Sequence, residues 1–232
     1  VEALEEIYDG ISLACTRYKV DLIGGDTTSS NAGLVISVTA IGLEKEVNIV
    51  KRSGAKPNDI LVVTGDLGGA YLGLQILERE HSVFLANPNM QPEMEGFDYI
   101  LERQLKPEAR TDIKKKLEEL DILPTSMIDV SDGLASEVLH LSDQSKVGFN
   151  VYEEKLPMDE TMIHTADELN LNPAMAALNG GEDYELLFTI SSSDFDKIKN
   201  HPDFTIIGHA TETNAGNFLI ARGSNQLIPL TA

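Results

Sequence analysis

Three short acidic turns bracketed by glycine hold the side chains best suited to chemistry: Gly24-Gly25-Asp26-Thr27-Thr28, Asp129-Val130-Ser131-Asp132-Gly133 and Gly180-Gly181-Glu182-Asp183-Tyr184-Glu185. Each adjoins an apolar run, so the carboxylates are expected at strand ends, where oxygens can converge on a hard cation such as Mg²⁺. Asp129 and Asp132 are separated by Val130 and Ser131, and a tight turn would bring both carboxylates and the Ser131 hydroxyl into one crevice. Asp26 would join them from another segment, and one or two Mg²⁺ ions could be held. Asp and Ser ahead of a helix also serve as plain N-caps, and the local sequence leaves that reading open. The spacing of an EF-hand is not met. A Walker phosphate loop and the protein-kinase signatures are also missing, so a phosphate ligand would have to be bound through metal.

Other candidates are weaker. Arg52 stands beside a loop and could clamp a phosphate or be an ordinary surface cation. Gly65-Asp66-Leu67-Gly68-Gly69, between a strand and a helix, could offer backbone amides to a phosphate or form a close-packed turn. Tyr8 is a helix-core aromatic or, in a cleft, a stacking or hydrogen-bonding group. Cys15 is the only cysteine and reads as simple core packing, and the five histidines show no metal-ligand spacing.

Eighteen basic against 38 acidic side chains give a formal charge of −20, which argues against nucleic acid and anionic membranes as partners. With 42% apolar residues and no long uncharged apolar stretch, the sequence reads as a soluble protein of the cytoplasm without a membrane span.

The elements that must position these turns mix helix and strand without a strict βαβ rhythm, which points to an α+β arrangement with partly antiparallel sheets. Leu4, Ile7, Tyr8, Ile11 and Cys15 follow helical spacing from the first residues, so the chain is expected to begin inside a domain. Val20 to Ile23 and Gly33 to Leu43 read as strands. The polar stretch from Glu44 to Asp59 suits a domain joint, giving expected domains of residues 1–47 and 48–232. Further strands are expected at 60–64, 126–130, 147–152, 184–190, 204–209 and 217–221. Helices are expected from about 69 to 77, 98–105, 108–120, from Leu134 with Asp132 as a cap, 159–169 and 194–198, with a loop over 80–97.

Four stretches, DLIGGDTT (21–28), KRSGAKPNDILVVTG (51–65), MIDVSDGLASEVLHL (127–141) and ALNGGEDYELLFTI (177–190), occur in the order found in the thiamine-monophosphate kinase family. The chain resembles that family, part of the superfamily that includes aminoimidazole ribonucleotide synthetase, selenophosphate synthetase and a hydrogenase maturation protein. The resemblance implies a two-domain aminoimidazole ribonucleotide synthetase-like architecture, with a partial N-terminal ATP/Mg-binding domain and a complete C-terminal α/β domain. It also implies transfer of the ATP γ-phosphoryl group to thiamine monophosphate, by direct in-line attack with Mg²⁺. Matching positions would place Tyr8, Gly25, Asp26, Arg52 and Ser131 on ATP, Asp26, Asp129 and Asp132 on Mg²⁺, and Glu182 on thiamine monophosphate. The family's Gly-Asp-Asp motif, further Asp ligands and C-terminal aromatic tail have no counterpart here, so the expected metal cluster is incomplete; because relatives of the fold dimerise through their N-terminal domains, the resemblance implies a homodimer for the full-length protein. The alternatives are another ATP-dependent enzyme of the superfamily with a different acceptor, and a non-catalytic nucleotide- or metal-binding fragment.

Overall fold

The computed structural model describes every residue except 1, 32, 225 and 232. It divides into two compact units, Val1–Glu46 and Val47–Ala232.

In the first unit, α1 (Glu2–Tyr18) ends with Arg17 in its last turn, where a cation complements the helix dipole, and the Val20 N–H donates to the Cys15 carbonyl. Cys15 is only half-buried, which corrects the expectation of simple core packing. The strands expected at 20–23 and 33–43 do not form, because a strand exists only as half of a hydrogen-bonded ladder and none is made by these residues. Their β-branched and aliphatic side chains stay in solvent: Val38 is 84% exposed and Leu43 fully so.

The second unit is built on one seven-stranded sheet of order β2-β4-β1-β5-β3-β6-β7. The strands are β1 (Ile60–Thr64), β2 (Ser126–Asp129), β3 (Gly148–Tyr152), β4 (Leu186–Ile190), β5 (Phe204–Thr211), β6 (Asn217–Ile220) and β7 (Leu227–Pro229). All neighbours are antiparallel except β3 and β6. The two-residue period of a strand splits β1 and β4 between two cores. Leu61, Val63 and Leu187 pack on one face with α2 (Gly69–Ala86), α3 (Asp98–Leu105), α5 (Leu134–Ser145), α6 (Glu160–Glu168) and α7 (Pro173–Asn179). Ile60, Val62, Phe188 and Ile190 pack on the other with α4 (Asp112–Glu119) and α8 (Phe195–Ile198). Helices cover both faces of β1, which is why all five of its residues are buried.

Several boundaries move. α2 runs on to Ala86, so the expected loop over 80–97 shrinks; the buried Glu80 carboxylate anchors what remains by accepting the Glu93 N–H at 2.8 Å. α4 starts later than expected, after Arg110, whose side chain is drawn inward (below). α7 was not expected, yet Asn172 caps it by accepting from the Ala174 and Met175 amides and Pro173 occupies its first turn.

The smaller core depends on Phe188, fully buried between α4 and α8 and packed edge-on against Phe204 at 5.7 Å between ring centroids. Phe188→Ala is expected to destabilise this unit by about 3–5 kcal/mol through lost burial and the cavity left behind. Urea denaturation of both proteins measures it, and a loss under about 1 kcal/mol would contradict this account of the core.

Candidate functional site

β2 lies at the edge of the sheet and delivers Asp129 as its last residue. Beyond it the ladder continues irregularly against the approach to β4. The Val130 N–H donates to the Glu185 carbonyl at 2.7 Å, the Tyr184 N–H to the Val130 carbonyl at 2.9 Å and the Glu182 N–H to the Ser131 carbonyl at 2.8 Å. Three backbone bonds thus stitch the turn at 129–133 to the loop at 181–185.

Asp132 does not cap α5. The N-cap position is Gly133, at φ 105°, and no side chain bonds there. A Cβ at Gly133 would meet the Leu178 carbonyl oxygen at 2.8 Å, so glycine is required both by the backbone angle and by the approach of α7. Asp129 and Asp132 are exposed and Ser131 half-buried; among the described residues neither aspartate has an ion-pair partner.

Behind the turn is Glu137, nearly fully buried on α5, whose Oε1 accepts the Asp132 N–H at 3.2 Å and, at 3.4 Å, the Ser131 hydroxyl. Burial pushes its pKa up, and the charges of Asp132 and Asp129 add to the rise. The turn is thus electronegative, and the His140 charge acts on Glu137 in the opposite sense. Among the described residues no three His, Cys, Asp or Glu side chains gather tightly enough to hold a metal. The donor set of two exposed carboxylates on one turn still suits Mg²⁺, which commonly takes one or two carboxylates and fills its octahedron with water and substrate phosphate.

Arg52 is exposed, and its backbone runs along the outer edge of β2. The Met127 N–H donates to the Lys51 carbonyl at 2.9 Å, and Ser145 Oγ donates to the Arg52 carbonyl at 3.3 Å while accepting the Gly54 and Ala55 amides at 3.2 Å. Glu182 is exposed and accepts a 2.9 Å bond from the Tyr184 hydroxyl, which holds that phenol's pKa above its ordinary value. Glu182 and Tyr184 both take left-handed backbone angles, φ 60° and 52°. For residues other than glycine this costs of order 1–3 kcal/mol each and persists only where surrounding structure enforces it.

Beneath the loop lies a buried polar cluster. Glu185 is almost fully buried, accepts from Thr64 Oγ1 at 2.5 Å and from Arg103 Nη1 at 3.1 Å, and is bonded by Arg110. A Cβ at Gly65, at φ 55°, would lie 2.3 Å from Glu185 Oε1, so this close approach requires the glycine. Asp183 Oδ2 accepts the Gly68 N–H at 2.8 Å, its Oδ1 has no hydrogen bond, and Arg103 Nη2 lies 3.6 Å away. Asp66 accepts from the Tyr99 hydroxyl at 2.5 Å. In the turn at 65–69, therefore, the Gly68 amide is committed to an internal carboxylate.

In the first unit, the Tyr8 hydroxyl and Thr27 Oγ1 share a 2.7 Å hydrogen bond that ties α1 to the turn carrying Gly25 and Asp26, both exposed. The structure thus joins Tyr8 to the Gly25–Asp26 turn in one unit. In the other, it joins Asp129, Ser131 and Asp132 to Glu182, with Arg52 beside β2.

Asp183 and Glu185 stand in an acidic turn that the sequence marks out but were given no role of their own, and Glu137, Arg103 and Arg110 were not singled out. Two signals were present. Glu137 falls on the apolar face marked by Leu134, Val138 and Leu141. Asp183 and Glu185 share the two-residue phase of the buried Leu187 and Thr189.

The profile of the AIR synthase related protein N-terminal domain matches residues 1–43, and that of the C-terminal domain matches residues 56–220. The thiamine-monophosphate kinase of Bacillus subtilis is 32% identical over 230 residues, covering 97% of this chain and 67% of the relative. The chain belongs to the thiamine-monophosphate kinases of the AIR synthase related family. The Aquifex aeolicus thiamine-monophosphate kinase is 35% identical over 190 residues, covering 82% of this chain and 57% of the relative. Among solved structures, one described as AaThiL complexed with AMPPCP and TMP matches with a TM-score of 0.72 at 29% identity, over 93% of this chain and 64% of that one. The chain therefore spans about two thirds or less of the length of these kinases.

Burial raises the Asp183 pKa to about 6 from 3.8, and the Gly68 N–H and then the Arg103 charge only partly oppose the rise. The folded protein therefore binds this proton more tightly than the unfolded chain does. The stabilisation is complete below about pH 4 and is lost as pH rises through about 6. Relative to Asp183→Asn, the parent is expected to lose on the order of 2–3 kcal/mol of stability across that window, measured by urea denaturation at stepped pH. Parallel stability curves for the two proteins would overturn the assignment.

Proposed function

We propose that this chain transfers the γ-phosphoryl group of ATP to thiamine monophosphate, giving thiamine diphosphate in a Mg²⁺-dependent, direct in-line reaction. The observation that carries this reading is the stitched pair of segments in the second unit. The uncapped carboxylates of Asp129 and Asp132 and the Ser131 hydroxyl are locked by backbone hydrogen bonds to the loop that presents Glu182. Kinship with the thiamine-monophosphate kinases and the likeness to AaThiL complexed with AMPPCP, an ATP analogue, and TMP support the same chemistry.

In this reading Asp129 and Asp132, with Asp26, hold magnesium, which supplies charge neutralisation for two mutually repelling phosphates. Ser131 and Arg52 donate to ATP phosphate oxygens, and Gly25, Asp26 and less directly Tyr8 complete the nucleotide site. Glu182 places a negative charge against the acceptor, whose thiazolium ring is cationic. The acceptor oxygen belongs to a phosphate already ionised near neutral pH, so no strong general base is required and alignment carries the rate. With a net charge of −20, the protein depends on cations to admit anionic ligands.

We further infer that residues 1–47 are the C-terminal part of the N-terminal ATP- and magnesium-binding domain and 48–232 form the C-terminal domain, a division supported by the two compact units. We also infer that the whole protein is a cytoplasmic homodimer that acts on neither nucleic acid nor membrane. The exposed aliphatic run at 34–43 supports association, and among the described residues no helix is long and apolar enough to cross a membrane.

A coupled assay for thiamine diphosphate, run with and without magnesium, tests the reaction. Asp129→Asn is expected to lower kcat roughly hundredfold while leaving the melting temperature nearly unchanged, because the side chain is exposed and bears no structural bond. Full activity in the variant, or product formation without any divalent cation, would refute the assignment.

A further inference from the structure

The loop that carries Glu182 holds a conformation its own sequence disfavours. Gly181, Glu182 and Tyr184 all have positive φ, and only the first of them is glycine. Left to itself, such a segment would relax toward ordinary backbone angles and Glu182 would be presented differently. Something on its inner side must oppose that relaxation.

Arg103 is placed to do so. From α3, its guanidinium is two-thirds or more buried and reaches the loop on both sides of Tyr184. Nη1 donates to Glu185 Oε1 at 3.1 Å, and Nη2 donates to the Asp183 carbonyl at 3.3 Å, with the Asp183 carboxylate 3.6 Å away. The same Nη2 also donates to the Asp66 carbonyl at 3.0 Å, tying the fork to the turn after β1. A planar guanidinium with fixed donor directions can span these acceptors at once, whereas an ammonium cannot. A buried ion cluster is a poor source of stability compared with well-packed apolar side chains, so its presence here calls for another role. The role consistent with the geometry is to specify a conformation.

We propose that Arg103 is a positioning residue for the phosphoryl acceptor: by bracing Asp183 and Glu185 it keeps the 181–185 loop in the left-handed conformation that presents Glu182. The proposal rests on Glu182 contacting the acceptor, as inferred above. It assigns Arg103 no contact with substrate.

Two variants test it. Arg103→Met removes the charge and risks misfolding. Arg103→Lys keeps the charge, loses the fork and is the informative case if the first does not fold. Hydrogen exchange on the full chain reads the loop directly, because the Glu182 and Tyr184 amides are bonded to the Ser131 and Val130 carbonyls. In Arg103→Lys these two amides are expected to exchange at least roughly tenfold faster while those of β1 and β4 keep their protection. In steady-state assays the KM for thiamine monophosphate should rise roughly tenfold, with the KM for ATP and kcat changed about twofold or less. In a Glu182→Ala background, Arg103→Lys should have no further effect on that KM.

Unchanged exchange at both amides, a uniform loosening of the whole unit, or a KM effect that persists undiminished without the Glu182 carboxylate would each overturn the proposal. If the parent makes no thiamine diphosphate, the functional reading fails on its own and the positioning of the acceptor falls with it. The exchange measurement then still decides whether Arg103 holds the loop.

Discussion

Ser131, Asp132 and Glu182 depend on one irregular stretch of ladder, in which residues 130–131 and 182–185 exchange backbone hydrogen bonds after regular pairing of β2 with β4 has ended. A regular ladder would alternate the side chains of both strands between the two faces of the sheet and bury half of them. Asp129 at the last regular pair, and Asp132 and Glu182 beyond it, stand in solvent while their neighbours Val130, Asp183 and Glu185 stay buried. The site is the exposed half of that arrangement, and the charged cluster under it is the buried half.

The two halves are electrostatically unlike. Above, the carboxylates face water without ion-pair partners among the described residues and generate the negative potential that a divalent ion would neutralise. Below, Glu185 is neutralised by two arginines and a threonine hydroxyl, and Asp183 is less completely served. The contrast separates carboxylates by task, since a group already satisfied inside the fold has no oxygen to offer a ligand. It also explains why Arg103 and Arg110, from a helix and a loop far from the motif in sequence, point inward although the rest of the surface is strongly acidic.

How much of this was legible in the sequence follows the range of the interactions involved. Asp129, Asp132 and Glu182 could be picked out because glycine-flanked acidic turns beside apolar runs are local patterns. Six strands of the sheet were visible from alternation and β-branching, although some of their ends shifted where pairing stopped, whereas the short β7 was not expected. Glu137 was passed over, and the buried, internally bonded state of Asp183 and Glu185 was not legible, because a carboxylate's burial is decided by partners up to 121 residues away in sequence, as between Thr64 and Glu185. The 33–43 segment has strong strand character, yet sequence alone does not reveal whether a ladder partner will be present. Asp132 looked like a cap because its type and position fit; the approach of α7 gave that place to Gly133 instead.

The alternation that sinks Asp183, Glu185 and Leu187 on one side while Glu182 rises on the other restricts how this region can diverge. Inserting or deleting a single residue between Gly181 and Leu187 would exchange the two sides, sending an unpaired carboxylate into the interior and an aliphatic side chain into the cleft. Changes in acceptor preference among descendants of such a scaffold therefore have to arise by replacing side chains at constant length, or from other segments of the polypeptide.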